Sequence, residues 1–285
     1  MKKIVCLCLL LLMAGSAFAD DDYVGFLARL RTTPEEFFMM MKQSWANKGW
    51  TIIGGDHSTS KAKFYDTMNM MQMALKRGEI GEMILPEFVA EYLLKVSDSY
   101  EACCMSGSDR MSLCFGFMRG NDELQAKWNG ALRTLRDNFV LAGLERKYVK
   151  DFPPDDSYDY IYGINTKKKQ RARRITFEQF PDAPTVRVAI TGDLPPVDYV
   201  DESGLPAGYS VAVLSEIGKI LRVNIQTVSV SAGARTAVLV SGRADVVFWF
   251  EVDRKKKFQP DVPEDVILSE PYLDWNKFIH LTLSE

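Results

Sequence analysis

Short apolar runs and helically spaced ones alternate along most of the chain. Residues 50–53, 62–65 and 83–85 are short, continuous and apolar, and read as buried strands. Between the last two, 67–77 carries Met68, Met71 and Leu75 at helical spacing. That methionine stripe reads as core filling rather than a cofactor box, because an unbranched thioether adapts to irregular gaps. Residues 88–94 predict a second short helix after Pro86, and 111–118 a strand. The stretch 124–148 predicts a long helix with Trp128, Leu132, Leu135, Phe139 and Leu144 on one face and a break at Gly143.

Residues 151–184 lose this periodicity. Pro153 and Pro154, an acidic tyrosine-rich stretch and the basic run 167–174 follow one another, the composition of a connector. A basic run can also meet nucleic acid or acidic lipid, but in an acidic chain a solvated linker is the simpler reading. A second series then begins, with strands at 186–190, 224–230, 245–250 and 278–283 and helices at 210–221 and 235–240. Strand–helix–strand repetition with short connections argues for an α/β fold with parallel strands covered by helices. Ligands of such sheets sit beyond the carboxyl ends of the strands, which directs attention to the loops after Ile190 and Phe250.

The first nineteen residues stand apart from both series. Lys2 and Lys3 precede an apolar run over 4–13, and Ala17-Phe18-Ala19 supplies a small-x-small cleavage pattern before three aspartates. This is the pattern of a secretory leader, with an uncleaved anchor as the alternative, and it predicts a periplasmic protein with no membrane insertion after cleavage. Removing nineteen of the 285 residues leaves 266 and, with Lys2 and Lys3 gone, takes the net charge from −3 to −5. The remainder, 47% hydrophobic and 26% charged over the whole chain, is that of a folded protein without the basic bias of nucleic-acid binders.

Export permits disulfides, and Cys103, Cys104 and Cys114 remain beyond the leader. Residues 105–110 read as a polar turn, so a bridge from Cys103 or Cys104 to Cys114 would close a short loop. The alternative is that Cys114, between Leu113 and Phe115, is a small buried residue. No C-x-x-C pair exists, and two histidines, His57 and His280, are too few to suggest a zinc site, so no metal and no cofactor are expected. His57 and Ser58 are neighbours, but neither a third group nor a nucleophile turn accompanies them, and no enzyme is expected.

Four segments of the second series carry a family resemblance. They are Asp193-Leu194-Pro195-Pro196-Val197-Asp198-Tyr199, then Gly208-Tyr209-Ser210-Val211, then 237–247 with Leu239, Gly242 and Asp245, and last Asp253-Arg254-Lys255 followed by Ser269-Glu270-Pro271-Tyr272. In that order they resemble the opening lobe of the bacterial type II periplasmic solute-binding proteins of the amino-acid-binding group. The first series is similar to the same family's other end: 64–80 resembles its second-lobe helix and glycine turn, and 122–148 its C-terminal helices. The resemblance therefore implies an α/β, two-lobed periplasmic binding protein type II fold, circularly permuted, with mixed sheets flanked by helices. Lobe two would span 20–119, completed by 277–285. Lobe one would comprise 185–276 and the helices of 120–150, and 151–184 would be the permutation linker, with hinge crossings near Met118 and Asn276. Two fragments completing one another in an exchanged dimer are the alternative to a permuted monomer.

The resemblance also implies a solute held in the cleft, an amino acid or related acid, and an ABC transporter permease as partner. Arg254 falls at the position of the family's carboxylate-binding arginine, whose planar fork matches two oxygens. Arg235, Tyr199 and Asp193 fall at neighbouring first-lobe positions, and Trp249 and Glu251 stand in a loop that in the family holds glycine and threonine. In lobe two, Ser58 and Thr59 match the start of a carboxylate-capping helix, and Glu87 adjoins the position of the amino-group-binding aspartate. The departures at Trp249 and Glu251 leave a second reading open, a degenerate module serving as a sensory or partner-binding subunit without a transport ligand.

Overall fold

A computed structural model describes residues 23–27, 61–151, 175–201, 203–254 and 262–284. The expected leader, the strand expected at 50–53, His57, Ser58, Thr59 and most of the expected connector lie outside them. The first series consists of β1 (Tyr23–Leu27), β2 (Lys61–Tyr65), α1 (Met68–Lys76), β3 (Glu82–Pro86), α2 (Glu87–Val96) and β4 (Tyr100–Met118). Next come α3 (Asp122–Asp137), α4 (Val140–Glu145) and a π turn over Arg146–Lys150. The second series opens with β5 (Thr185–Ile190), the short strands β6 (Asp193–Leu194), β7 (Asp198–Val200) and β8 (Pro206–Ala207), and α5 (Tyr209–Leu221). It closes with β9 (Asn224–Ser229), α6 (Arg235–Val240), β10 (Val246–Asp253), β11 (Val266–Leu268) and β12 (Leu273–Leu283).

Nine strands form one sheet in the order β2-β1-β3-β12-β4-β10-β5-β9, with β11 also on β4, while β6, β7 and β8 form a small sheet of their own. The large sheet is mixed. Its two ends, β2-β1-β3 and β10-β5-β9, are parallel, and its middle is antiparallel. Parallel neighbours need a crossover between them, which α1, α5 and α6 supply.

The middle depends on two long strands. Leu281–Leu283 and Phe278–His280 of β12 pair with the first part of β4, and Leu273–Trp275 with its second part. The same second part of β4 pairs with β10 and β11. Strands β4 and β12 thus belong to both ends of the sheet, and their ladder is irregular between Trp275 and Lys277, opposite Met111 and Gly107.

Local sequence explains the helices. Thr67 caps α1, its hydroxyl accepting from the Met70 amide at 3.1 Å, and Met68, Met71 and Leu75 face the core while Met70 and Met73 are exposed. In α3, Trp128, Leu132 and Leu135 are buried as expected, and Trp128 meets Phe115 and Phe117 of β4 edge-on at 5.6 and 5.9 Å. The long helix breaks earlier than Gly143. Asn138 caps α3, Phe139 is left-handed at φ 60°, and the residue is 78% exposed instead of lying on the buried face.

Two further expectations are corrected. Residues 105–110 form no turn, because β4 runs unbroken from Tyr100 to Met118. Cys103 and Cys114 are therefore separated by about 35 Å of extended chain, at roughly 3.3 Å per residue, far beyond disulfide reach. All three cysteines are free thiols, and Cys114 is buried, its thiol pushed up to about 12 chiefly by that burial. Likewise Phe248, Trp249 and Phe250 lie not in a loop but inside β10, buried, where the pairing with β4 shifts register between Val247 and Phe250.

Candidate functional site

The carboxyl end of β5 leads into a turn organised by one carboxylate. Oδ2 of Asp198 accepts from the Thr191 amide at 2.9 Å, the Gly192 amide at 2.6 Å and the Thr191 hydroxyl at 2.7 Å. Asp198 has no exposed surface. Burial pushes its carboxyl up to about 7, the Thr191 and Gly192 hydrogen bonds oppose that shift, and neighbouring Asp193 adds to it. A cis bond joins Pro195 to Pro196 in the loop between β6 and β7.

Asp193 links the two series. Its Oδ2 accepts from the Met68 amide at 3.1 Å, so a side chain of the second series occupies the start of α1 in the first. A helix start presents unpaired N–H groups and the positive end of its dipole, which favours an anion. Burial raises the Asp193 carboxyl, and the Met68 amide, Thr191 and Arg235 counter it. Close by, a Cβ on Gly233 would stand 3.0 Å from Oδ1 of Asp66, a second near approach of the two series.

Arg235 opens α6 and is almost wholly buried. Its Nε donates to the Ala232 carbonyl at 2.9 Å, its Nη1 donates to the Trp249 carbonyl at 2.8 Å, and its guanidinium lies 3.8 Å from the Trp249 ring centroid. Asp193, Arg235 and Trp249 are thus brought together with the start of α1. Tyr199 pairs with Asp193 across β6 and β7, but its side chain is buried. Glu251 is half-buried further along β10, and exposed Arg254 stands 3.5 Å from Asp274. Glu87 begins α2. A groove of about 360 Å³ also opens at Thr185, Val186 and Arg187, the amino end of β5 and so the opposite end of that strand from Asp193.

Sequence reasoning passed over Asp198, Thr191 and the Met68 amide. Asp198 lies between Val197 and Tyr199, and a carboxylate flanked by apolar residues is the signal that would have marked it as buried. A second group was missed altogether. Glu82, Cys104 and His280 place their ligand atoms within 4.8 Å of one another. They come from β3, β4 and β12, so no spacing along the chain reveals them.

Among the described residues no helix is long and apolar enough to cross a membrane. No curated protein matches the chain. Solved structures with some likeness include the periplasmic binding protein AgaA of A. tumefaciens R10 in complex with agropinic acid, at 9% identity and TM-score 0.41 over 80% of this chain and 56% of that one. NikA of Staphylococcus aureus, in complex with Ni(L-His)2, gives 12% and 0.41 over 79% and 57%. The ATP phosphoribosyl transferase HisG:HisZ complex of Thermotoga maritima gives 7% and 0.31 over 92% and 86%. Scores this low say nothing about ligand or chemistry. The sequence itself is more specific: residues 186–276, about a third of the chain and the greater part of the second series, match the bacterial extracellular solute-binding proteins of family 3.

Proposed function

We propose that the chain is an exported, circularly permuted solute-binding protein that holds a small polar solute, an amino acid or related acid, and delivers it to an ABC transporter. The family match over 186–276 supports a binding role. The observation that carries the reading is the meeting of Asp193 with the Met68 amide beside buried Arg235. Here a carboxylate, a guanidinium and a helix start converge from the two series, and such groups recognise carboxylates and ammonium groups. In the described arrangement Asp193 takes the place at the helix start that a solute carboxylate would compete for. The two sheet ends, joined through β4 and β12, would be the lobes that part and close around the solute.

Thermal unfolding against a panel of amino acids and small organic acids tests this. A true ligand at 100 times its Kd adds about 2.7 kcal/mol of stability, a shift of several degrees. No shift with any member at millimolar concentration would overturn transport of such a solute.

One observation favours the second reading, a degenerate module serving as a sensory or partner-binding subunit. Arg235 is held by the Trp249 carbonyl and Arg254 lies beside Asp274, so both arginines expected at the site are engaged within the chain. On that reading the panel is silent while the protein still captures a macromolecular partner.

A further inference from the structure

The two vicinal thiols of β4 do not alternate as neighbours on a regular strand do. In the pairing of β4 with β12, His280 stands opposite Cys104 and Leu281 opposite Ala102, so Cys103 is the extra residue of a β-bulge. A bulge suspends the strict alternation of faces. The result is that Sγ of Cys103 lies 3.7 Å from Sγ of Cys104 and 3.8 Å from Oε2 of Glu82. Oε2 of Glu82 lies 2.9 Å from Nδ1 of His280. Cys104 completes a group with those two within 4.8 Å. Register explains the convergence, since Ile84 of β3 faces His280, which faces Cys104, and Glu82 is two residues from Ile84 on the same side.

From these distances we infer that Cys103, Cys104, His280 and Glu82 form a binding site for a single zinc-type divalent cation, stapling β3, β4 and β12 together. Two thiolates, an imidazole and a carboxylate are a tetrahedral set of the kind zinc selects over harder ions. Zinc–sulfur bonds of about 2.3 Å at the tetrahedral angle require sulfurs about 3.8 Å apart, close to the separation present. The imidazole and carboxylate need to separate by only about half an ångström to reach the corresponding edge. Side-chain exposure of 9% for His280 and 12% for Glu82 places them inside, and exposed Cys103 provides an entry path. On binding, the two thiol protons pass to water, His280 offers the Nδ1 lone pair, and no oxidation occurs.

The site is independent of solute binding, and the test uses the reduced, leader-free protein. Cobalt(II) is titrated as a spectroscopic probe and zinc is then added to displace it. The expected result is one equivalent of cobalt with tetrahedral d–d bands and a thiolate charge-transfer band, bleached by one equivalent of zinc. In Cys103→Ser and Cys104→Ser the charge-transfer intensity falls by about half and zinc affinity falls at least tenfold. Cys114→Ser changes neither. Cys103 is exposed, so its variant is expected to fold, and zinc should raise the thermal midpoint of the parent protein but not of Cys103→Ser. Absence of the charge-transfer band in the parent protein, or its survival in the Cys103→Ser/Cys104→Ser double variant, overturns the site.

Discussion

Asp198 is a carboxylate without exposed surface, and its hydrogen bonds all reach one oxygen, leaving Oδ1 without a partner. Burial outweighs those bonds and lifts its carboxyl to about 7, against about 4 in an unfolded chain. The folded state therefore binds the proton more tightly, and the associated stability is present in full below about pH 4 and lost as pH rises towards 7. A shift of about three units corresponds to something on the order of 4 kcal/mol. Urea unfolding between pH 4 and 8 should show that fall, and Asp198→Asn should reduce its slope. The slope does not vanish, because burial raises Asp193 as well. An unchanged slope in Asp198→Asn would assign the titration elsewhere. Asp198→Ala, which strips the Thr191 and Gly192 amides of their acceptor, should cost about 2–4 kcal/mol. The sequence showed an acidic, proline-rich loop of family type, but that Asp198 is the one buried without any exposed surface depends on the fold of that loop around the end of β5.

Individual helices and strands were legible where one pattern dominated. The start of α5 is an example, because Gly208 has φ 106° and a Cβ there would stand 2.5 Å from the Val197 carbonyl oxygen. Tyr209 and Ser210 donate their amides to the Pro196 and Val197 carbonyls at 3.1 and 2.9 Å, so the glycine lets the loop close onto the helix start. Gly208→Ala should destabilise by at least about 2 kcal/mol, read from chemical denaturation. Phe139 presents the opposite case, an exposed aromatic at φ 60° between α3 and α4. Phe139→Gly removes left-handed strain without giving up burial, and should gain about 0.5–1 kcal/mol, a rise of a few degrees in Tm. A fall in Tm would mean that the ring contributes packing. The helix pattern could not reveal this break, since a phenylalanine at helical spacing predicts a buried face. The first half of β4 was hidden for a related reason: Ser106, Ser108, Asp109 and Arg110 read as a turn, and the strand on either side of 108–110 is held by pairing with a segment far away in sequence.

The whole molecule depends on pairings between the two ends of the chain. Strand β12, from the last residues, lies between β3 and β4 of the first series, and β4 in turn borders β10 of the second. Neither the part before the connector nor the part after it holds the large sheet in one piece, because the first lacks β12 between β3 and β4 and the second lacks β4 between β12 and β10. The proposed permuted monomer and its alternative, an exchanged dimer, are separated by measurement. The chain without residues 1–19 should give a light-scattering mass of one copy in solution, and a stable mass of two would favour exchange. Fragments 20–151 and 175–285, expressed separately, should be insoluble or unfolded, since each exposes unpaired strand edges and half of a core. Expressed together, they should copurify one to one and unfold in a single transition, because β4 and β12 rebuild both ends of the sheet without the connector. If 175–285 folds and unfolds cooperatively alone, the second series is an independent domain, and the joining of the two halves through β4 and β12 is not what holds this protein together.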